Sequence, residues 1–330
     1  MNLDDIFANI EQLSIAVIGD YCLDVYWIAD MKRSVLSRET PHYPLPIVSE
    51  RISAGGAGNV ALNVAALKPR SIAALGVIGT DWRAELLREC LVDAKINVDG
   101  LIRAPKRVTN CYIKPIRHGY SDHDFEDPRI DFENYSNLDS ENEQQLIKIL
   151  KQGKYDMICV CDQMLYGCIT EALRDTLCEM GSKGQRIIVD SRDRIKLYTN
   201  VIVKPNEIEA KNALSGSTDY EKTAGMLSEI THKPSIITLG ENGCIVCEDG
   251  KVSRVNAFNV EPPIDICGAG DTFLAAFACS YAAGASLTQA ACLANAASSI
   301  TVGKVLTTGT ASREEIESVL SRCGMGTAFF

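Results

Sequence analysis

The chain has 330 residues, enough to bury a sizeable core and to form one large α/β domain or two smaller ones. Its formal net charge of -10 argues against nucleic acid or an anionic membrane surface as the main partner, so any bound anion must be held locally. No apolar run reaches the ~18 residues of a spanning helix, and the acidic opening MNLDDIFANIEQ lacks the basic start of a secretory signal, so a cytoplasmic location is expected.

The first strand-length apolar run is SIAVIGD (14–20), which ends in Gly and Asp. The stretch 31–53 breaks the pattern: it is polar and Pro-containing, with short alternating segments suited to an antiparallel sheet open on one face. A glycine cluster follows in SAGGAGNVALNVAAL (53–67). Gly56, Gly58 and Ala61 fit G-x-G-x-x-A with Asp81 beyond, so a Rossmann dehydrogenase is a competing reading. The preceding LPIVSERIS is too polar to be the buried first strand that reading needs. Gly55, Gly56, Gly58 and Asn59 read instead as a helix start where a substrate meets bare backbone.

SIAALGVIG (71–79) and the helical DWRAELLRECLVDA (81–94) restore the βα alternation. A second excursion, 106–134, is again polar, with RVTNCYIKPIR alternating like an exposed strand. Both excursions return to further βα units, and they are expected to form a small β lid of about 31–53 and 106–134 on a single domain, 1–330. The runs YDMICVCD (155–162), QRIIVD (185–190), NVIVKPN (200–206) and SIITLG (235–240) continue the alternation. The expected fold is a doubly wound, mostly parallel sheet flanked by helices, with ligands at the strand C-terminal ends.

Thirteen cysteines without a secretion signal read as reduced core thiols rather than a disulfide framework. Cys244 and Cys247 form one Cys-x-x-Cys in an expected strand, where positions three apart face opposite sides, which disfavours zinc. The last motif is DICGAGDTF (265–273), entering the apolar FLAAFACSYAAG. A glycine-led helix start offers free N–H groups and the positive helix end to a phosphate or oxyanion. An acid one turn inside, Asp271, would repel a resting phosphate, but it suits a base that deprotonates a hydroxyl attacking one. On this motif alone, an ordinary Gly-rich turn remains the other reading.

Taken in order, GD-x3-D (Gly19, Asp20, Asp24), GGAGN (55–59), KPNEIEA (204–210), ITLGENG (237–243) and D-x-x-GAGD (265–271) resemble the ribokinase-like, or phosphofructokinase B type, carbohydrate kinases. The resemblance runs from about residue 14 to about 318. It implies a ribokinase-like fold and ATP-dependent phosphorylation of a hydroxyl on a sugar or sugar phosphate. It implies Asp271 as catalytic base, with Gly268, Ala269 and Gly270 as the anion hole. It places Asp20, Asp24, Gly55, Gly56 and Asn59 at the sugar, Asn206 and Glu209 at Mg2+ through water, and Thr238, Gly240, Gly243 and Asn295 on the nucleotide side. Asp265 and the carbonyl of Cys267 match part of a K+ site.

Within the family, IGDYCLDVYW, SRETPHYPLPIV and RIDFE (129–133, with Arg129 and Asp131) resemble the kinase half of bifunctional enzymes acting on heptose 7-phosphate, without their nucleotidyltransferase half. Two departures stand out: VTNCY (108–112) and DQMLYG (162–167) replace lysine-bearing segments there. This favours an unphosphorylated sugar, or a phosphate held by Lys114, Arg117, Arg129 or Arg192. A homodimer through the lids is expected, because an open apolar lid face is a liability. The alternatives are a catalytically silent sugar-binding protein on a kinase fold and a dinucleotide-dependent oxidoreductase.

Overall fold

The computed structural model describes residues 1–119, 123–214, 216, 218–305 and 309–324. In chain order its strands begin with β1 (Ser14–Gly19), β2 (Tyr21–Asp30), β3 (Ile47–Gly56), β4 (Ser71–Ile78) and β5 (Asn97–Arg103). Next come β6 (Asn110–His118), β7 (Phe125–Glu126), β8 (Ile130–Phe132), β9 (Met157–Asp162) and β10 (Ile187–Ser191). The last are β11 (Ile202–Val203), β12 (Ser235–Thr238), β13 (Cys244–Glu248) and β14 (Lys251–Val255).

Among the described residues the large sheet has the order β14-β13-β12-β11-β10-β9-β1-β4-β5. The strands from β12 to β5 pair in parallel, while β13 and β14 close one edge antiparallel. Successive side chains of β1 enter different cores: Ile15 and Val17 pack with Phe277 on one face, Ala16 and Ile18 with Leu146 and Leu177 on the other. This two-sided burial is why the runs read as continuously apolar. Cys244 and Cys247 likewise fall in the two different cores, and all thirteen cysteines are free thiols.

The chain leaves β1 towards β4 and β5 on one side and later fills β9 to β12 on the other, so the strand order reverses between β1 and β9. In such sheets the crevice for a ligand opens outside the carboxyl ends of the strands at the reversal. Here those ends are Gly19–Asp20 and Asp162–Gln163.

The second sheet has the order β3-β2-β6-β7, with β8 also on β6. It takes β3 from the first excursion and β6, β7 and β8 from the second. Its central strand, β2, lies outside both, because only Asp20 separates β1 from β2 and the two read as one apolar unit. Residues 31–46 contribute a short 3-10 turn at Met31–Arg33 and loop, rather than strand. Residues 120–122 of the second excursion lie outside the described residues. Strand β5 at the edge of the large sheet was also unforeseen, since Gly100 interrupts its pattern where a Cβ would stand 2.3 Å from Leu75 Cδ2.

Candidate active site

Asp271 is the third residue of the helix Ala269–Ala282, whose cap Gly268 is left-handed at φ 79°. Only glycine takes that conformation without strain, and it turns the chain sharply into the helix. The Asp271 Oδ2 atom accepts a hydrogen bond of 2.8 Å from Asn59 Nδ2. Asn59 is buried in the first turn of another helix, Ala57–Ala66, so the two glycine-led helix starts meet at this bond. Asn63 Nδ2 fixes Asn59 in turn, donating to its carbonyl and Oδ1 at 3.0 and 3.2 Å. Burial pushes the Asp271 carboxyl up to about 7; the Asn59 bond and Lys204 work against this, and Asp190 adds to it. A base that titrates near neutral pH is well matched to proton transfer.

Two residues that the sequence reading did not single out complete this centre. Lys204 Nζ pairs with Asp190 at 2.9 Å, with both side chains buried. Its Nζ lies 3.9 Å from where a Cβ on Gly270 would be, which places the ammonium beside the glycine-led turn. Burial would lower the Lys204 pKa, but Asp190, Glu209 and Asp271 outweigh it and hold it raised. Asp190 lies in β10 and Lys204 directly follows β11, both at strand C-terminal ends, where the doubly wound pattern already said to look.

Asn206 caps the helix Glu207–Ala213: its Oδ1 accepts from the N–H of Ile208 and of Glu209, and Glu209 Oε2 accepts from Asn206 N at 2.8 Å. That leaves Glu209 Oε1 outside the cap. Burial, then Asp190, holds the Glu209 carboxyl above its ordinary range. Such a charge-crowded carboxylate suits a hard divalent ion. Among the described residues no three His, Cys, Asp or Glu side chains converge as direct metal ligands.

Asp20 differs most from expectation. Its carboxylate turns inwards and accepts the N–H groups of Gln163 (3.0 Å), Met164 (2.8 Å) and Cys168 (2.8 Å). Burial still pushes it up to about 6. With three backbone donors on it, Asp20 orders the loop after β9 and has little capacity left for a sugar hydroxyl. Asp24 is also pushed up to about 6 by burial, with Lys114 and Arg129 pulling it down. The bare backbone of Gly55 is met by the protein's own atoms, since a Cβ there would lie 2.3 Å from Asp24 Oδ2. Gly56, at φ 55°, is similarly faced by the Asp20 carbonyl, whose oxygen would be 2.5 Å from a Cβ. These glycines therefore seat Asp24 and Asp20 against the helix start. β3 is exposed at Ile47–Arg51 and antiparallel to β2, so the G-x-G-x-x-A run lacks the buried parallel strand of a dinucleotide site.

Of the residues that the family resemblance assigns to the nucleotide, Thr238 ends β12 and its N–H bonds to Pro205 O at 3.1 Å. Gly240 and Gly243 bracket a 3-10 turn. Asn295 is buried and donates from Nδ2 to the carbonyls of Val255 (3.2 Å) and Asn256 (3.0 Å), tying the end of β14 to its helix. Asp265 Oδ1 accepts from Cys267 N at 3.0 Å, which puts both in one turn ahead of the glycines.

The family model described as pfkB family carbohydrate kinase matches residues 13–314. A protein named "Bifunctional protein HldE" from Citrifermentans bemidjiense is 29% identical over 327 residues, covering 96% of this chain and 65% of that protein. One of the same name from Gluconobacter oxydans is 33% identical over 319 residues, covering 93% and 64%. The chain thus spans about two thirds of the length of these relatives. Among solved structures, phosphofructokinase-2 from Escherichia coli in complex with fructose-6-phosphate superposes with a TM-score of 0.75 at 20% identity, covering 95% of this chain and all of that one. Ribokinase of Arabidopsis thaliana, complexed with ribose and ATP, gives 0.70 at 19% identity, covering 94% and 99%. At these identities the structures establish the fold: ribokinase-like α/β, with a mostly parallel sheet between helices.

Proposed function

We propose that this chain, which belongs to the pfkB family of carbohydrate kinases, moves a phosphoryl group from ATP to a hydroxyl of a sugar or sugar phosphate with Asp271 as general base. The observation that carries the assignment is the Asn59–Asp271 bond of 2.8 Å, which holds a carboxyl of raised pKa at the glycine-led start of a helix. The acceptor hydroxyl gives its proton to Asp271 as its oxygen bonds to the transferred phosphorus and the bond to the leaving nucleotide oxygen breaks. The amides of Gly268 to Gly270, with Lys204 beside them, meet the charge that spreads over the phosphoryl oxygens.

Asn206 and Glu209 would hold Mg2+ through water; bound with ATP, it neutralises phosphate charge. Thr238, Gly240, Gly243 and Asn295 are assigned to the nucleotide, Asp24 to the sugar, and the turn of Asp265 and Cys267 to K+. Among the described residues no helix is long and apolar enough to cross a membrane, and a cytoplasmic location goes with the ATP-dependent reading. Val35, Tyr43, Ile47, Val48, Phe125 and Ile130, in or beside the second sheet, are exposed apolar residues. We assign this surface to a second copy, making the sheet a lid covered in a homodimer. The test of the reaction is Mg-ATP turnover across a panel of sugars and sugar phosphates, heptose 7-phosphate included. ATP consumption stimulated by none of them would overturn the reading.

A further inference from the structure

We propose that the cleft at the sheet's reversal point takes a neutral, polyhydroxylated tail of the sugar rather than a phosphorylated one. The inference rests on the sugar-kinase reading and narrows its substrate class. The cleft, of about 310 Å3, is walled by Asn110 and Tyr112 on β6, by residues 133–135, and by Gln163 and Arg192 beyond β9 and β10. It adjoins the catalytic centre. Gln163 and its neighbour Met164 are the amides gripped by Asp20, and Gln163 Nε2 donates to the carbonyl of Asp190, the partner of Lys204. Tyr112 is paired across the second sheet with Asp24. A sugar with its reacting hydroxyl at Asp271 extends its far end here.

The charges around the cleft oppose a phosphate. Its lining carries one cation, Arg192, and two carboxylates, Glu133 and Asp193. A phosphomonoester brings a charge of about -1.5 to -2 and is held by converging guanidinium or ammonium groups. The nearby cations lie outside this lining, and each already has a partner of its own. Arg129 bonds Asp131 through two nitrogens at 2.6 and 2.7 Å, and Arg117 pairs with Asp127 at 2.7 Å. Arg194 bonds Asp162 at 3.0 Å, and Lys114 reaches the Tyr26 hydroxyl at 3.3 Å. Arg107 donates to the carbonyls of Ser136 and Tyr166, linking the 133–136 segment to the loop after β9.

What the lining does offer is amides and acceptors. Asn134 Nδ2 bonds Asn110 Oδ1 at 3.0 Å and Val108 O at 2.8 Å, so this pair is held in place before a ligand arrives. Glu133 takes the Tyr112 hydroxyl on Oε1 at 3.2 Å. Its other oxygen, the Asp193 carboxylate and Gln163 Oε1 add acceptors. Hydroxyls, which donate as well as accept, match such a surface; a phosphate, with acceptors alone, does not.

The test is calorimetric binding, with Mg2+ and a non-hydrolysable ATP analogue, of matched pairs: heptose and heptose 7-phosphate, fructose and fructose 6-phosphate, ribose and ribose 5-phosphate. In the pair that binds best, the unphosphorylated member should bind at least about tenfold more tightly. Asp193→Lys, at an exposed position, should move that preference about tenfold towards the phosphate ester. Tighter binding of a phosphorylated member that is lost in Arg192→Ala would overturn the inference, as would no binding by any member. Turnover of the same pairs is read separately. A neutral sugar that binds in the cleft but is never phosphorylated would sink the kinase assignment and leave the cleft's chemistry standing.

Discussion

Asn59 and Asp271 lie 212 residues apart in the chain and meet through one hydrogen bond of 2.8 Å, which joins the glycine-led starts of helices Ala57–Ala66 and Ala269–Ala282. It brings a neutral donor to a carboxyl that burial drives towards its protonated form.

Replacing that carboxyl, Asp271→Asn, should cut single-turnover phosphoryl transfer by 10²–10⁴-fold, the usual range for a lost general base, while sugar and ATP binding measured by calorimetry stay near wild type. Stability should move the other way. The folded pKa of about 7 lies above the ordinary 3.8, so Asp271 supports the fold below about pH 4 and loses that support as pH rises towards 7. The Asn variant should therefore be the more stable protein at pH 8, by roughly 1 kcal/mol or more, given about 1.4 kcal/mol per pKa unit. A variant keeping over a tenth of wild-type transfer would point to another base.

The pH profile offers a second check. Transfer should rise with pH through about 7 as Asp271 ionises. Asn59→Ala removes a bond that favours the ionised form, so the rising limb should move up by about one pH unit, with much of the lost rate regained at pH 9. A limb left in place would mean that the bond does not reach the catalytic proton.

Asp20→Asn tests whether this residue orders a loop or touches the sugar. An amide has one acceptor oxygen for three backbone donors, and each buried donor left over costs about 1–3 kcal/mol. Hydrogen exchange at Gln163, Met164 and Cys168 should accelerate at least tenfold. Unchanged protection there, together with a large loss of sugar affinity, would restore the direct role implied by the family resemblance.

For Gly55→Ala the expected effect is selective. The new Cβ would fall 2.3 Å from Asp24 Oδ2 and 2.7 Å from Cys22 Sγ, so the carboxylate must shift. The sugar KM should rise about ten- to a hundredfold, the scale of a misplacement near 1 Å, with the KM for ATP within about twofold of wild type. Equal losses for both substrates would indicate general unfolding of the helix start.

Light scattering at micromolar concentration should give twice the chain mass, and Val48→Asp on the exposed part of β3 should return it to a monomer. A wild-type monomer would remove the lid–lid assignment.

The sequence by itself determined the sheet class and the glycine-led helix start of the last motif. Both depend on short-range signals: two-sided burial makes β1, β9 and β10 uniformly apolar, and glycines before Asp271 mark a helix start with free N–H groups. The same strand-end logic reached as far as Asp190 and Lys204, although neither was singled out. What the tertiary structure alone decided was pairing across distance. No local pattern says that Asn59 faces Asp271, that Lys204 is held by Asp190, or that Asp20 spends its carboxylate on amides some 145 residues later. Nor could alternation assign β2 to the second sheet, because hydrophobic periodicity reports how a strand is buried and carries no record of which strand lies beside it.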